Sequence, residues 1–114
     1  MNGIAAATLL LAGDVMTGRG VDQALARHCA PQLYEPYVHD AREYLRLAEA
    51  ASGPLGEPLA PHEPWGDALD AFVAADVDAR IVNLETALTT HDVPWPGKGI
   101  HYRTHPGNVD VLAA

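Results

Sequence analysis

Leu9-Leu10-Leu11-Ala12-Gly13-Asp14-Val15-Met16-Thr17-Gly18-Arg19-Gly20 is the stretch on which the fold turns. An apolar run halts at Gly13-Asp14, and a glycine-studded turn follows. A short apolar run bounded by turn residues predicts a buried strand of a parallel sheet. In open α/β sheets ligands gather at the carboxyl ends of strands, which puts Asp14 where chemistry is done. The pattern returns at Ala79-Arg80-Ile81-Val82-Asn83-Leu84-Glu85-Thr86, a second apolar run that closes on Asn83 and Glu85. Strand alternation places residues 83 and 85 on one side of the backbone, so both can reach one point beyond the sheet. The fold class read from these runs is α/β.

Three chemistries compete for Gly13-Asp14. The glycine spacing from Gly13 to Gly20 resembles the start of a phosphate loop, but Arg19-Gly20 stands where that motif needs Lys and Ser or Thr. A carboxylate at Asp14 would also repel phosphate. The second reading is structural, with Asp14 capping the turn or helix that follows. The third makes Asp14 a metal ligand, and it gains weight from Asn83 and Glu85 on the second strand. For those two the plain alternatives are a turn former and a solvated carboxylate. Hard cations such as Mg²⁺ or Mn²⁺ take carboxylate and amide oxygens, and two carboxylates can hold a pair of ions about 3.5–4 Å apart for phosphoester chemistry.

The bulk composition narrows the classes. The chain has 114 residues, with 7 Lys and Arg against 15 Asp and Glu, a net charge of −8. That length suits a single domain. The acidic balance excludes nucleic acid as a partner, which needs a basic footprint, and docking on an anionic membrane. It accords with cation binding or simply with a soluble acidic surface. Cys29 is the single cysteine, so an internal disulfide and a cysteine zinc site are both excluded, and Cys29 reads as a packed helix residue. The run from Ile4 to Ala12 is apolar, but no Lys or Arg precedes Arg19, as an export signal requires, and it is too short to span a bilayer. It reads as the first strand, and the expected location is cytoplasmic.

Between the runs, Val21 to Ala30 has helical composition. Asp40 with Glu43 predicts a capping box for a helix through Tyr44, Leu45, Leu47 and Ala48, which Gly53-Pro54 ends. Four prolines from Pro54 to Pro64 mark a surface excursion. Asp67 is placed to cap a helix whose Leu69, Phe72 and Val73 share a face. A Pro/Gly loop from Val93 to Gly99 leads to Ile100-His101-Tyr102-Arg103, and Pro106-Gly107-Asn108 opens a last helix with Val109, Leu112 and Ala113 apolar. Two strands alone leave apolar edges exposed, so the expectation is the front portion, residues 1–114, of a larger single domain, marginally stable by itself or associating through its sheet edges.

Of the six histidines, His28, His39, His62 and His91 lack paired spacing and read as surface residues. His101 and His105 flank Arg103 and follow Pro96-Gly97-Lys98-Gly99, the local cationic patch of an acidic chain. Arg103 is expected to contact an anion or to form a structural ion pair.

Four islands, Gly13-Asp14-Val15-Met16, Trp65-Gly66-Asp67-Ala68-Leu69, Arg80 to Thr86 and Lys98 to Arg103, resemble bacterial capsule-synthesis proteins of the poly-γ-glutamate (CapA) type. They run in order along the whole chain. The resemblance implies an N-terminal portion of a layered α/β sandwich like the calcineurin-like metallophosphoesterases, with a metal site at the strand ends. It further implies that Asp14 and Glu85 bind a divalent metal (Mn²⁺, Mg²⁺, Fe²⁺ or Zn²⁺) with Asn83 adjacent. His101, Tyr102 and Arg103 would then line a pocket for an anionic or polyglutamate-type substrate. Members of that family continue with histidine-containing motifs beyond the region corresponding to Ala114. The expectation for these 114 residues alone is weak metal binding and negligible phosphoester hydrolysis, or a non-catalytic scaffold or polymer-binding role.

Overall fold

The two apolar runs pair side by side. The computed structural model describes residues 6–56 and 58–114, so Ile4 and Ala5 of the first apolar run lie outside the described residues. Strand β1 (Leu9–Val15) and strand β2 (Ala79–Leu84) form a parallel sheet with Leu9 opposite Ala79 and Ala12 opposite Val82. The loop before β2 locks the start of the pair: Thr8 N–H donates to Asp78 Oδ2 at 2.7 Å, and Asp78 N–H returns to the Thr8 carbonyl at 2.8 Å. A shorter parallel pair, β3 (Ala87–Leu88) with β4 (Arg103–Thr104), follows directly along the chain. The mixed α/β class is as expected.

The expected burial of these strands is not what the structure has. Leu11 is 71% exposed and Ile81 53% exposed, and with Leu9 they form one open sheet face. The opposite face carries Leu10 and Val82 and meets Trp65, Leu69, Phe72 and Leu112. Among the described residues this two-stranded sheet has a covering layer on one side and nothing to bury the other. The shared face expected of Leu69, Phe72 and Val73 does line this seam, which belongs to helix α3 (Ala68–Ala74). Trp65 stacks edge-on against Phe72, with ring centroids 5.5 Å apart, and its indole N–H donates to the Val111 carbonyl at 2.6 Å. Arg80 on β2 closes the carboxyl end of α3 by donating to the Phe72 and Ala75 carbonyls. That end of a helix has unpaired carbonyls that favour a cation.

The other helices are displaced from their sequence-based limits. Helix α1 runs over Arg19–Ala24 rather than to Ala30. Leu25 turns extended and bridges Leu59, whose N–H donates to the Ala24 carbonyl. The Asp22 carboxylate then takes the Cys29 N–H at 2.7 Å, folding the chain back on α1 instead of prolonging it. Helix α2 (Arg42–Ser52) forms as predicted and ends at Gly53, whose φ of +91° suits glycine. The capping box does not form. Ala41 occupies the N-cap, and Asp40 accepts instead from the Arg42 backbone and guanidinium, which holds its carboxyl down to about 2. Asp67 holds the N-cap position of α3 without a side-chain cap bond. The last helix is 3₁₀ over Pro106–Leu112, and it buries Val111, not the expected Val109.

The small apolar core is Ala24, Leu25, Cys29, Ala41 and Val111, lying where α1 meets the start of α2 and the closing 3₁₀ turn. Burial pushes the Cys29 thiol pKa up, and its Sγ faces the Thr89 carbonyl at 3.4 Å. Cys29 packs, as expected, though outside a helix. Among the described residues no helix is long and apolar enough to cross a membrane.

Candidate functional site

Asp14 owes its position to a bulge. Ala12 pairs with Val82 and Val15 with Leu84, so Gly13 and Asp14 together face Asn83 alone. The extra residue forces Asp14 into the left-handed region at φ +52°, a conformation that Asp and Asn tolerate better than branched residues. The turn aims its carboxylate across the sheet end, where Asn83 Nδ2 donates to Asp14 Oδ1 at 3.0 Å. Both side chains are exposed. Glu85 follows the last paired residue of β2; its N–H donates to the Val15 carbonyl at 2.8 Å and its side chain is exposed. One residue further, buried Thr86 accepts the Thr17 N–H on Oγ1 at 3.1 Å. The two post-strand loops are therefore clasped to each other directly below the Asp14–Asn83 pair.

These donors are a carboxylate, a carboxamide and a neighbouring carboxylate, all hard oxygen ligands of the kind Mg²⁺ and Mn²⁺ prefer. Among the described residues no three His, Cys, Asp or Glu side chains gather closely enough to hold a metal ion. Fe²⁺ or Zn²⁺ would favour imidazole ligands as well.

The second group of expected site residues lies on β4 and the loop before it. Tyr102 is tied to the turn after β1. Its hydroxyl accepts from Arg19 Nη2 at 2.9 Å, and the Arg19 guanidinium lies over its ring at 4.6 Å. The same guanidinium sits 5.2 Å from the Tyr44 ring and donates from Nε to Glu35 at 2.5 Å. Tyr44 completes the circuit by donating to the other Glu35 oxygen at 2.7 Å, which, with some burial, raises the Tyr44 pKa. Arg19 itself has a left-handed φ of +51°. Backbone strain of this kind costs on the order of 1–3 kcal/mol, and the ion pair and two ring contacts offset it.

Among the described residues Arg103 forms no ion pair. Its Nη1 donates to the His91 carbonyl at 2.7 Å and its Nη2 to the Ala30 carbonyl at 3.1 Å. His101 Nε2 lies 2.6 Å from the Lys98 carbonyl, so that nitrogen carries a proton. His101, Tyr102 and Arg103 do share the lining of one cleft, which also takes in His91 and Lys98. His105 is elsewhere, its ring accepting the Gly107 N–H as the cap of the closing turn.

The sequence reading missed Asp22, Glu35 and Arg19. Asp22 and Glu35 are buried carboxylates; three partners of Asp22 lie more than 80 positions away, while those of Glu35, Tyr44 and Arg19, lie 9 and 16 positions away. The one local signal was a carboxylate inside the otherwise helical stretch that begins at Val21.

The order of these pieces, a carboxylate at a bulged first strand, Asn83 and Glu85 at the second and a Lys-to-Arg segment after it, matches a known family. The profile described as Bacterial capsule synthesis protein PGA_cap matches residues 8–114. The chain belongs to this family. It is 45% identical over 107 residues to proteins named "Probable polyglutamine synthesis accessory protein" in two strains of Mycobacterium tuberculosis, covering 94% of this chain and 28% of each relative. The chain thus spans less than a third of the length of these relatives. No solved structure matches it.

Proposed function

We propose that this capsule-synthesis chain contributes the first two strand-end ligands of a divalent-metal site of the phosphoesterase type, serving an anionic small-molecule or polyglutamate-type substrate. The observation that carries the reading is the Asn83–Asp14 hydrogen bond, 3.0 Å long, at the carboxyl ends of adjacent parallel strands. Asp14 Oδ2, Asn83 Oδ1 and the Glu85 carboxylate are the oxygens that would hold a hard ion such as Mn²⁺ or Mg²⁺. The Asn83 amide N–H fixes the carboxylate orientation by occupying Oδ1. An ion held there would supply a polarised water as the nucleophile of a hydrolysis. His101, Tyr102 and Arg103 belong to the wall on the substrate side, with Arg103 and Tyr102 shaping it through their bonds to the His91 and Ala30 carbonyls and to Arg19.

Oxygen ligands without imidazole leave an ion largely hydrated, so binding by the 114 residues should be weak and turnover negligible. Titration with Mn²⁺, followed by paramagnetic broadening of backbone amide signals, should bleach residues 13–15 and 83–85 first, and Asp14→Ala should remove that selectivity. Broadening spread over the acidic surface, unchanged by Asp14→Ala, would defeat the metal reading. Robust hydrolysis of an aryl phosphate, lost in Asp14→Ala, would show that these ligands suffice alone. A non-catalytic polymer-binding role is the second reading, favoured by the cleft that gathers Lys98, Arg103, His91 and His101. It predicts binding of the polymer with no dependence on metal.

A further inference from the structure

Beyond the Glu85–Thr86 turn, the β3–β4 ladder borders a cleft of about 180 Å³ whose walls include Thr89, His91, Asp92, Lys98, His101 and Arg103. A chain of net charge −8 here gathers two fixed cations and two imidazoles against one carboxylate. The cations differ in what they have left to give. Arg103 spends donors on two backbone carbonyls. Lys98 is exposed, and the ion pairs among the described residues, Arg19–Glu35 and Arg42–Asp40, do not include it.

The walls are braced. The Lys98 N–H closes a turn onto the Trp95 carbonyl at 3.2 Å, and His101 Nε2 holds the Lys98 carbonyl from the other side. The His101 ring lies edge-on to Tyr34, with centroids 5.8 Å apart, and the Tyr34 hydroxyl donates to the Asp92 carbonyl at 2.9 Å. His91 is held through its backbone, N–H to Thr89 Oγ1 and carbonyl from Arg103. Those bonds leave its imidazole available.

We propose that this cleft is a subsite for a single carboxylate, in which Lys98 supplies the opposing charge, His91 donates a hydrogen bond and Asp92 limits the ligand to one negative charge. Size argues for a small group, since pockets for drug-sized ligands run to roughly 300–1,000 Å³. Charge argues for a monoanion, because Lys98 and Arg103 exceed Asp92 by one and a dianion would face Asp92 unbalanced. The inference deepens the anionic-substrate half of the proposed function and does not depend on the metal half.

The test is an amide-signal titration of the 114-residue chain in EDTA, with N-acetylglycinate as the monocarboxylate and inorganic phosphate at pH 8 as the dianion. N-acetylglycinate should shift the signals of residues 91 and 98 and bind more tightly than phosphate. Lys98→Gln should weaken it roughly fivefold, the upper end for an exposed charge pair. Asp92→Asn should erase the preference over phosphate. Equal or tighter phosphate binding by the unaltered chain, an unchanged affinity in Lys98→Gln, or no shifts at residues 91 and 98 would overturn the proposal. Because EDTA removes metal, none of these outcomes bears on Mn²⁺ binding at Asp14, and the two readings fall separately.

Discussion

At the scale of single residues, Asp22 is the side chain on which most distant segments converge. It is 1% exposed, and its carboxylate accepts from Cys29 N–H, His105 N–H, the Thr104 hydroxyl, and the Asn108 and Gln23 side-chain amides. A buried carboxylate without a cation is tolerable because these donors replace the water it has lost. Asp22→Ala strands the donors in the interior. Hydrogen bonds to a charged group are worth about 1.5–3 kcal/mol each, and their effects overlap, so a net loss of about 3 kcal/mol or more is expected. That is a large part of the ordinary stability of a domain. Urea unfolding followed by circular dichroism checks it, and a loss below about 1 kcal/mol would contradict the assigned role. The sequence offers only a carboxylate set inside the helical stretch that begins at Val21. Its partners at Thr104, His105 and Asn108 lie more than 80 positions away, and no local pattern encodes such a pairing.

At the scale of elements, the close contact between the turn after β1 and strand β4 sets a steric limit. A Cβ added at Gly18 would stand 2.9 Å from the Arg103 carbonyl oxygen, a backbone atom with little room to yield. Gly18→Ala should therefore cost about 1–3 kcal/mol, as overpacking does. Gly99→Ala, with nothing within 4 Å of its added Cβ, should stay within about 0.5 kcal/mol. Equal urea midpoints for the two variants would show that the turn and β4 are not in firm contact. Elements that depend on contiguous patterns were legible in the sequence: β1 and β2 from apolar runs, α2 from its composition and Gly53. The convergence of Asp14 and Asn83 was also legible, because two runs ending in oxygen-bearing residues must meet if the strands are adjacent and parallel. The early end of α1 was not, since it follows from the Leu25–Leu59 bridge and the Asp22–Cys29 bond. Nor was the failure of the capping box, where the Arg42 backbone N–H and guanidinium take up the Asp40 carboxylate. Arg103 was legible as a site residue by type and place, but its bonds to the Ala30 and His91 carbonyls belong to tertiary structure.

At the scale of the whole molecule, the open face of β1 and β2 is the feature with the widest effect. Leu9, Leu11 and Ile81 present adjoining apolar side chains to water on a sheet whose two edges are unpaired among the described residues, an arrangement that invites association. Light scattering over a range of concentrations should show the chain's mean mass rising. Leu11→Lys should suppress the rise while leaving the unfolding midpoint almost unchanged, because Leu11 is mostly exposed already. A mass that stays monomeric for the unaltered chain at every concentration would show that this face is inert.

The same openness gives the molecule its outline. The radius of gyration is 17.0 Å and the principal extents are 61 × 36 × 23 Å, whereas a compact domain of this length has a radius near 13 Å. A body this long tumbles and diffuses more slowly than a sphere of equal mass. On a sizing column a lone 12.1 kDa chain would leave early, in the place of a heavier globular protein. Elution position would thus imitate a dimer with no second copy present. Slowed rotation would likewise broaden its resonances as though the particle were larger. The shape alone can therefore counterfeit assembly, and scattered intensity, which weighs mass and not girth, is what tells the two apart.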